Sequence, residues 1–165
     1  MRMTKNFYLH EFIPVSIFSR YGNNSVWFLD NRLHLGAQAV RDVLYSAIVK
    51  PRGEFSDIKM TINSRDFNER GFRLPVTKTG GALSQHKFGR AIDFSIDALR
   101  PGGAWEDFPS LEVQRLISLP ENWAIIRLFF TTMEKDTVGW THLDMRSRPE
   151  SEFAKGPALV EIPST

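Results

Sequence analysis

The most informative part of the sequence is Ser84-Gln85-His86-Lys87-Phe88-Gly89-Arg90-Ala91-Ile92-Asp93-Phe94-Ser95-Ile96. In its second half Ile92, Phe94 and Ile96 alternate with smaller or polar residues, which predicts a strand with one buried face. Asp93 then points to the opposite side, into a cleft or solvent. His86 lies just before this strand, within reach of Asp93. The stretch therefore predicts two potential metal ligands at the edge of a sheet.

A second histidine occurs far downstream, in Trp140-Thr141-His142-Leu143-Asp144. If this stretch is a strand, Trp140, His142 and Asp144 share one face. Two histidines and one aspartate supply three protein ligands, the number used by a catalytic zinc site with an open fourth position. The chain has no cysteine, so only His, Asp and Glu could hold the metal. Asp144 could accept the other ring N–H of His142 or could pair with Arg146.

Hydrophobic patterning predicts one α+β domain around these residues. Amphipathic helices are predicted over 33–47 and 110–119, and strands over 58–62, 92–96, 124–134 and 139–146. The last two strands would form a hairpin with Glu134 opposite Trp140. The segment 6–21 would dock aromatic residues onto the body, and the tail 147–165 would wrap the surface. A loop as long as 63–83 is uncommon in a compact domain and is often functional.

Composition limits the classes of function. The 165 residues suffice for a single domain, and 42% hydrophobic with 24% charged residues is ordinary for a soluble protein. The net charge is +2 without any run of basic residues, so we expect no nucleic-acid partner. No apolar stretch approaches the ~20 residues of a membrane span. Charged residues interrupt the N-terminal region where a signal peptide would have its apolar core, so a cytoplasmic origin is expected.

Five positions, Ser84, His86, Gly89, Ala91 and Asp93, match the S-x-H-x-x-G-x-A-x-D signature of the D-Ala-D-Ala carboxypeptidase family of zinc metallopeptidases. The stretch 140–144 resembles that family's terminal aromatic-x-His-x-Asp strand. Weaker similarities lie at 6–12, which resembles the N-terminal lead-in, and at 62–65, which resembles the segment upstream of the signature. The resemblance covers 7–146 of a domain spanning 1–165, and the order and separation of the two motifs make it specific.

The resemblance implies a fold of the hedgehog and D-Ala-D-Ala peptidase type, with a small central antiparallel sheet and flanking helices. It implies a Zn²⁺ ion held by His86, Asp93 and His142. Such enzymes hydrolyse peptidoglycan stem peptides, as D-Ala-D-Ala carboxypeptidases or L-Ala-D-Glu endopeptidases. They occur as wall-remodelling enzymes and as bacteriophage endolysins or virion-associated lysins. The expected lack of a signal peptide favours the phage type, acting from the host cytoplasm or in the virion, beside other virion proteins.

Stem peptides carry free carboxylates, which a guanidinium can hold with two parallel hydrogen bonds. The family's arginine-bearing loop is altered here, so the substrate-binding arginine could be Arg65, Arg70 or Arg73. Arg65 follows the predicted strand most closely. We predict substrate contacts from Arg65, Arg73, Ser84 and Trp140, with Trp140 forming an apolar wall.

The general base does not stand where the family places it. Many members carry Glu or Asp three residues before the last zinc histidine, and Gly139 occupies this position. The candidates are Glu134, Asp136, Asp144 and Glu69. We favour Glu134, because a rigid strand gives better geometry than the turn that carries Asp136. Loss of the base defines an alternative function: a non-catalytic phage structural or cell-wall-binding protein that keeps the fold. A metal-free domain with incidental histidines is a third alternative.

Overall fold

Six strands, five α-helices and three 3-10 helices form the regular structure of the described residues, 1–51, 53–64 and 66–161, in a computed structural model of the chain. The strands are β1 (Asp57–Thr61), β2 (Ala91–Leu99), β3 (Trp105–Phe108), β4 (Thr132–Glu134), β5 (Thr141–Asp144) and β6 (Ala158–Val160). The helices are α1 (Val15–Tyr21), α2 (Leu33–Ile48), α3 (Ser110–Ile117), α4 (Pro120–Ile126) and α5 (Glu150–Phe153). These elements confirm the α+β class predicted from the sequence.

One mixed sheet contains all six strands, in the order β1-β2-β5-β4-β6, with β3 also paired to β2. The long strand β2 is its centre: the first part of β2 pairs with β5 and the second part with β1 and β3. All neighbours are antiparallel except β4 and β6, which run parallel. The expectation of an antiparallel sheet therefore holds for every strand pair except β4 and β6, which makes the sheet mixed. Within the predicted tail, Ala158–Val160 pair with β4 as β6, and 162–165 lie outside the described residues.

The core lies between one face of the sheet and the helices α2, α3 and α4. The alternation in β2 is confirmed, because Ile92, Phe94 and Ile96 are all buried. The predicted face of α2 is also confirmed: Leu33, Ala37, Val40 and Leu44 are fully buried. The segment 6–21 docks as expected, through Phe7, Phe12 and Ile13. No helix among the described residues is long and apolar enough to cross a membrane.

Two predictions of regular structure failed. The first part of the strand predicted over 124–134 belongs to α4, and only Thr132–Glu134 is strand. The helix α3 ends at Ile117, before the predicted end at Pro120. Pro120 instead begins α4, because proline is well suited to the first turn of a helix. Burial of Trp123 and Ile126 then outweighs the strand preference of the β-branched residues nearby. The short strand β3 was missed because its four residues are at most half-buried and carry two acidic side chains.

Candidate metal centre

Three side-chain atoms from separate segments converge at one point beside the sheet. His86 Nε2 lies 3.2 Å from both Asp93 Oδ1 and His142 Nδ1, and His142 Nδ1 lies 2.7 Å from Asp93 Oδ1. All three residues are buried, with exposed fractions of 2% for His86, 7% for Asp93 and 4% for His142. The fold thus brings the three predicted ligands together in a group that could hold a metal ion.

The second nitrogen of each imidazole ring is committed to a hydrogen bond. His86 Nδ1 lies 2.7 Å from the carbonyl oxygen of Gly71, and because a carbonyl only accepts, Nδ1 carries the proton. His142 Nε2 donates in the same way to Asp144 Oδ2, at 3.1 Å. In neutral rings the two nitrogens that face each other therefore have lone pairs only. Together with the Asp93 carboxylate they form three acceptors aimed at one point, where a proton or a metal ion could bind.

When no metal is bound, a proton on His142 supplies the hydrogen-bond donor that the three facing acceptor atoms need. Burial opposes a charge on His142, but its hydrogen bonds with Asp144 and Asp93 outweigh burial and raise the pKa of His142 to about 9. Burial also disfavours ionised Asp93, yet hydrogen bonds from His142 and His86 hold the pKa of Asp93 well below its usual range. Burial lowers the pKa of His86, whose ring is neutral at pH 7. A metal ion at this point would displace the proton from His142.

The spacing of the three atoms fits a small tetrahedral ion. Metal–ligand distances of about 2.0–2.2 Å place the ligands of such an ion about 3.3–3.6 Å apart. Two of the separations here are 3.2 Å, and only the 2.7 Å between His142 and Asp93 must widen. Imidazole and carboxylate donors suit zinc and related divalent ions. Three protein ligands also leave a fourth position for a reacting molecule.

Asp144 binds the His142 ring on the side opposite Asp93, and Asp144 is itself fully buried. Burial raises the pKa of Asp144, but hydrogen bonds from His142 and Arg146 outweigh it and lower the pKa to about 2. Arg146 Nε lies 2.9 Å from each oxygen of this carboxylate. The sequence left open whether Asp144 would support His142 or pair with Arg146. It does both, and so fixes the ring orientation that directs Nδ1 towards Asp93.

The local fold explains how the ligands are positioned. Asp93 on β2 lies directly opposite His142 on β5 in the antiparallel register. His86 lies on a 3-10 turn, Gln85–Phe88, which ends at Gly89 in the left-handed conformation with φ 63°. A Cβ on Gly89 would lie 2.1 Å from the carbonyl oxygen of Phe28. Glycine is therefore required here both for its backbone conformation and for space.

The segment 70–73, within the long loop, contacts two of the three candidate ligands and was not predicted to do so. Besides the Gly71 carbonyl that orients His86, the Arg70 carbonyl accepts from the Asp93 backbone N–H at 2.7 Å. Arg73 Nη2 lies 2.6 Å from Asp93 Oδ2. A Cβ on Gly71 would lie 2.2 Å from the carbonyl oxygen of Phe12, so the close approach of this segment needs glycine. The Gly and Arg content of the loop was the one sequence signal for these contacts.

The candidate bases occupy different positions. The β4–β5 register pairs Thr132 with Asp144, so the prediction that Glu134 lies opposite Trp140 was wrong by two residues. The corrected register, continued by one pair, places Glu134 opposite His142, and its charge helps to raise the pKa of His142. The side chain of Asp136 is 74% exposed in the turn and lies 3.6 Å from Lys135 Nζ. Glu134 therefore keeps the predicted face, because a two-residue shift preserves strand alternation.

A cavity of about 350 Å³ adjoins the three-atom cluster, because Asp93 is part of its lining. Its walls include Phe67, Glu69, Arg70, Arg73 and Trp140. A second groove, of about 500 Å³, shares Phe67, Arg70 and Trp140 with it and extends along the face of the sheet opposite the core. The two depressions together offer room for several residues of an extended peptide.

The predicted substrate-binding residues lie in different places relative to the cavity. Trp140 and Arg73 line the cavity, as the prediction requires, although the Arg73 guanidinium is bound to Asp93. Ser84 begins the turn that carries His86, where its carbonyl accepts from the Lys87 backbone N–H at 3.0 Å. Arg65 lies outside the described residues. Arg70, which the sequence offered only as an alternative, lines the cavity and forms no salt bridge with any described residue.

Comparison with known proteins adds no family assignment. No protein-family model, curated protein or solved structure matches the chain. The functional proposal therefore depends on the geometry of the cluster and on the two sequence motifs.

Proposed function

We propose that the chain is a zinc-dependent peptidase that hydrolyses peptidoglycan stem peptides, with a fold of the hedgehog and D-Ala-D-Ala peptidase type. One observation carries the proposal. The acceptor atoms of His86, Asp93 and His142 converge at 2.7–3.2 Å, while hydrogen bonds occupy the outward nitrogens of both rings. The three atoms are close enough to share one ion: a metal ion can take this place, and a proton on His142 takes it when no metal is bound.

Zinc bound by these residues would polarise the scissile carbonyl and increase the acidity of the attacking water. The chain must still supply a carboxylate that takes the proton of that water. We propose Glu134 for this role, because it shares the sheet face of His142 and interacts with it electrostatically. Glu69 is the competing candidate, because it lines the same cavity as Asp93.

Arg70 supports the choice of a carboxylate-bearing peptide as substrate. Its guanidinium stacks on Phe67, with Cζ 4.1 Å from the ring centroid, and Nη1 lies 3.4 Å from Ser95 Oγ. No carboxylate among the described residues forms a salt bridge with it; burial lowers the pKa of Arg70, and the charge of Asp93 opposes this effect. A half-buried cation without a salt bridge, in a cavity beside the metal ligands, is suited to holding a substrate carboxylate. Trp140 would provide the apolar wall.

Two measurements on the purified protein test the proposal together. Metal analysis by mass spectrometry should find one equivalent of zinc, and incubation with purified peptidoglycan should release new amino groups or D-alanine. His86→Ala should lose both the metal and the activity, whereas His10→Ala, which changes an exposed histidine, should keep both. Protein without stoichiometric metal, and with wall digestion unaffected by His86→Ala, would overturn the proposal.

A non-catalytic phage structural or cell-wall-binding role is the second candidate. Gly139, which replaces the family's usual base, lies at the end of the β4–β5 connection with φ 87°, and a Cβ added there would have no neighbouring atom within 4 Å. Zinc-loaded protein that binds peptidoglycan but releases neither amine nor D-alanine would favour this role. Either function would suit a protein that acts from the host cytoplasm at release or within a virion.

A further inference from the structure

The two oxygens of the Asp93 carboxylate have different partners. Oδ1 faces the two histidines, at 3.2 Å from His86 Nε2 and 2.7 Å from His142 Nδ1. Oδ2 faces away from them and accepts a hydrogen bond from Arg73 Nη2 at 2.6 Å. A charge-assisted bond of this length is among the strong hydrogen bonds of proteins. Oδ1 of Asp93 therefore faces the metal position, and Oδ2 binds Arg73.

Arg73 is itself held in place by the surrounding backbone. Its Nε donates to the Glu69 carbonyl at 2.7 Å, and its backbone N–H donates to the His86 carbonyl at 3.1 Å. The guanidinium is thus fixed between the loop and Asp93, with both partners of the ion pair largely buried. Rotation of the carboxylate to bring both oxygens to one side would break this bond and leave a buried cation unpaired, which is strongly unfavourable.

We propose that Arg73 is a positioning residue that restricts Asp93 to coordination through Oδ1 alone. This inference rests on the proposed metal centre. A carboxylate that binds a metal through both oxygens occupies two coordination positions. With two histidines and a one-oxygen aspartate, a four-coordinate ion keeps one position open, which hydrolysis requires. The role of Arg73 is thereby different from the substrate contact predicted from the sequence.

The shape of the arginine side chain matters for this role. The planar guanidinium donates from Nε to Glu69 and from Nη2 to Asp93 at fixed relative angles. A lysine would keep the charge but would offer a compact ammonium without this fork. Arg73→Lys should therefore restore part of the ion pair and only part of the control over the carboxylate. Arg73→Met removes both hydrogen bonds at similar side-chain length.

Cobalt(II) substitution tests the inference without any measurement of catalysis. Four-coordinate cobalt(II) has intense ligand-field absorption bands, and five-coordinate cobalt(II) has weaker bands. The wild-type protein loaded with one equivalent of cobalt(II) should show the intense spectrum. Arg73→Met should lose most of that intensity, because Oδ2 becomes free to bind, and Arg73→Lys should give an intermediate spectrum. X-ray absorption at the metal edge should report one additional oxygen ligand in Arg73→Met.

Arg41→Met is the matched control. The Arg41 side chain is 13% exposed, against 14% for Arg73, and it also pairs with a carboxylate, Asp57, at 3.2 Å. It should lower stability without changing the cobalt spectrum. An unchanged spectrum in Arg73→Met would overturn the proposed role of Arg73; if Arg73→Met fails to fold, an unchanged spectrum in Arg73→Lys would do so. Wild-type protein that takes up no cobalt or zinc would overturn the metal centre itself, whereas metal uptake without peptidase activity would leave the role of Arg73 intact.

Discussion

His142 and Asp93 face each other directly across the paired strands β5 and β2, and His142 Nδ1 lies 2.7 Å from Asp93 Oδ1. Two of the three candidate ligands are therefore fixed by backbone hydrogen bonds of the sheet. His86 reaches the same point from the turn that precedes β2. A site built on paired strands keeps its geometry without metal, so we expect it to be largely preformed.

The stability of the metal-depleted protein should fall as the pH rises from about 6.5 to 9. The pKa of His142 is about 9 in the folded protein, against an ordinary value of 6.5. Its stabilising contribution is therefore complete below about pH 6.5 and is lost as the pH rises through 9, with a total on the order of 3 kcal/mol. Urea denaturation of chelator-treated protein across this range measures the effect.

His142→Gln is the control for this pH dependence, because it removes the titrating group and should flatten the curve between these limits. The same protonation predicts that metal uptake below pH 9 releases a proton from His142 and becomes weaker as the pH falls. Equal stability of the metal-depleted protein at both limits would contradict a charged His142. Calorimetry in buffers of different ionisation enthalpy would count the released protons.

Glu134→Gln should lower kcat by about 10²–10⁴-fold and leave the zinc content unchanged, because a general base acts on the water and not on metal retention. Asp136→Asn is the matched neighbour and should have little effect, since that side chain is 74% exposed and directed to Lys135. Kinetics on a defined stem peptide, with metal analysis of each variant, provide the measurement.

Glu69→Gln separates the two candidate bases. If Glu69→Gln abolishes turnover while Glu134→Gln does not, the base is supplied by the loop that lines the cavity, and the assignment to Glu134 is wrong. Loss of zinc from either variant would point instead to a role in holding the site together. The two glutamates lie on different elements, the loop 63–84 and β4, so their effects can be compared independently.

The candidate ligands were predictable because their positions follow from strand alternation and from two local motifs. Neither Arg73 nor Gly71 could be assigned a role in the same way. Their contacts with Asp93 and His86 join an irregular loop to a strand and a turn, and no periodicity encodes such a pairing. The substrate role predicted for Arg73 followed from the family resemblance and from its charge, and it stays a prediction; in the structure Arg73 is paired with Asp93.

Local sequence was also insufficient where burial decided the structure. The β-branched residues around Trp123 and Ile126 favour a strand. They form a helix instead, because the side chains of Trp123 and Ile126 are buried where this helix packs against α2. The strand β6 has only three residues, and its formation depends on the free edge of β4. The strand β2 was predictable over 92–96 from the alternation of its apolar residues, but the structure extends it to Leu99.

Arg70→Met should reduce kcat/KM for a stem peptide with a free carboxylate by roughly 10–100-fold, the effect of losing a hydrogen bond between charged groups. The loss should be much smaller for the same peptide in amidated form. Stability should fall only modestly, since Arg70 forms no salt bridge with the described residues and the variant loses the stacking on Phe67 and the contact with Ser95. Arg65→Met, measured in parallel, tests the arginine favoured from the sequence: an effect confined to that variant would transfer the role to Arg65.

Gly89→Ala should destabilise the protein more than Gly139→Ala, although both glycines have positive φ, at 63° and 87°. A left-handed backbone costs a non-glycine residue roughly 1–2 kcal/mol at either position. Only at Gly89 would the new Cβ also meet an atom, the carbonyl oxygen of Phe28 at 2.1 Å, whereas nothing lies within 4 Å at Gly139. Overpacking of this kind adds about 1–3 kcal/mol.

The difference between these two variants in urea denaturation isolates the contact with Phe28 from the backbone strain. Gly89→Ala should also weaken zinc retention, because relief of the clash moves the turn that carries His86. Equal destabilisation by both substitutions would show that conformation alone requires glycine at position 89. If Gly89→Ala is the more destabilising variant and also loses metal, glycine is required because position 89 packs against Phe28, in the segment that leads into α2.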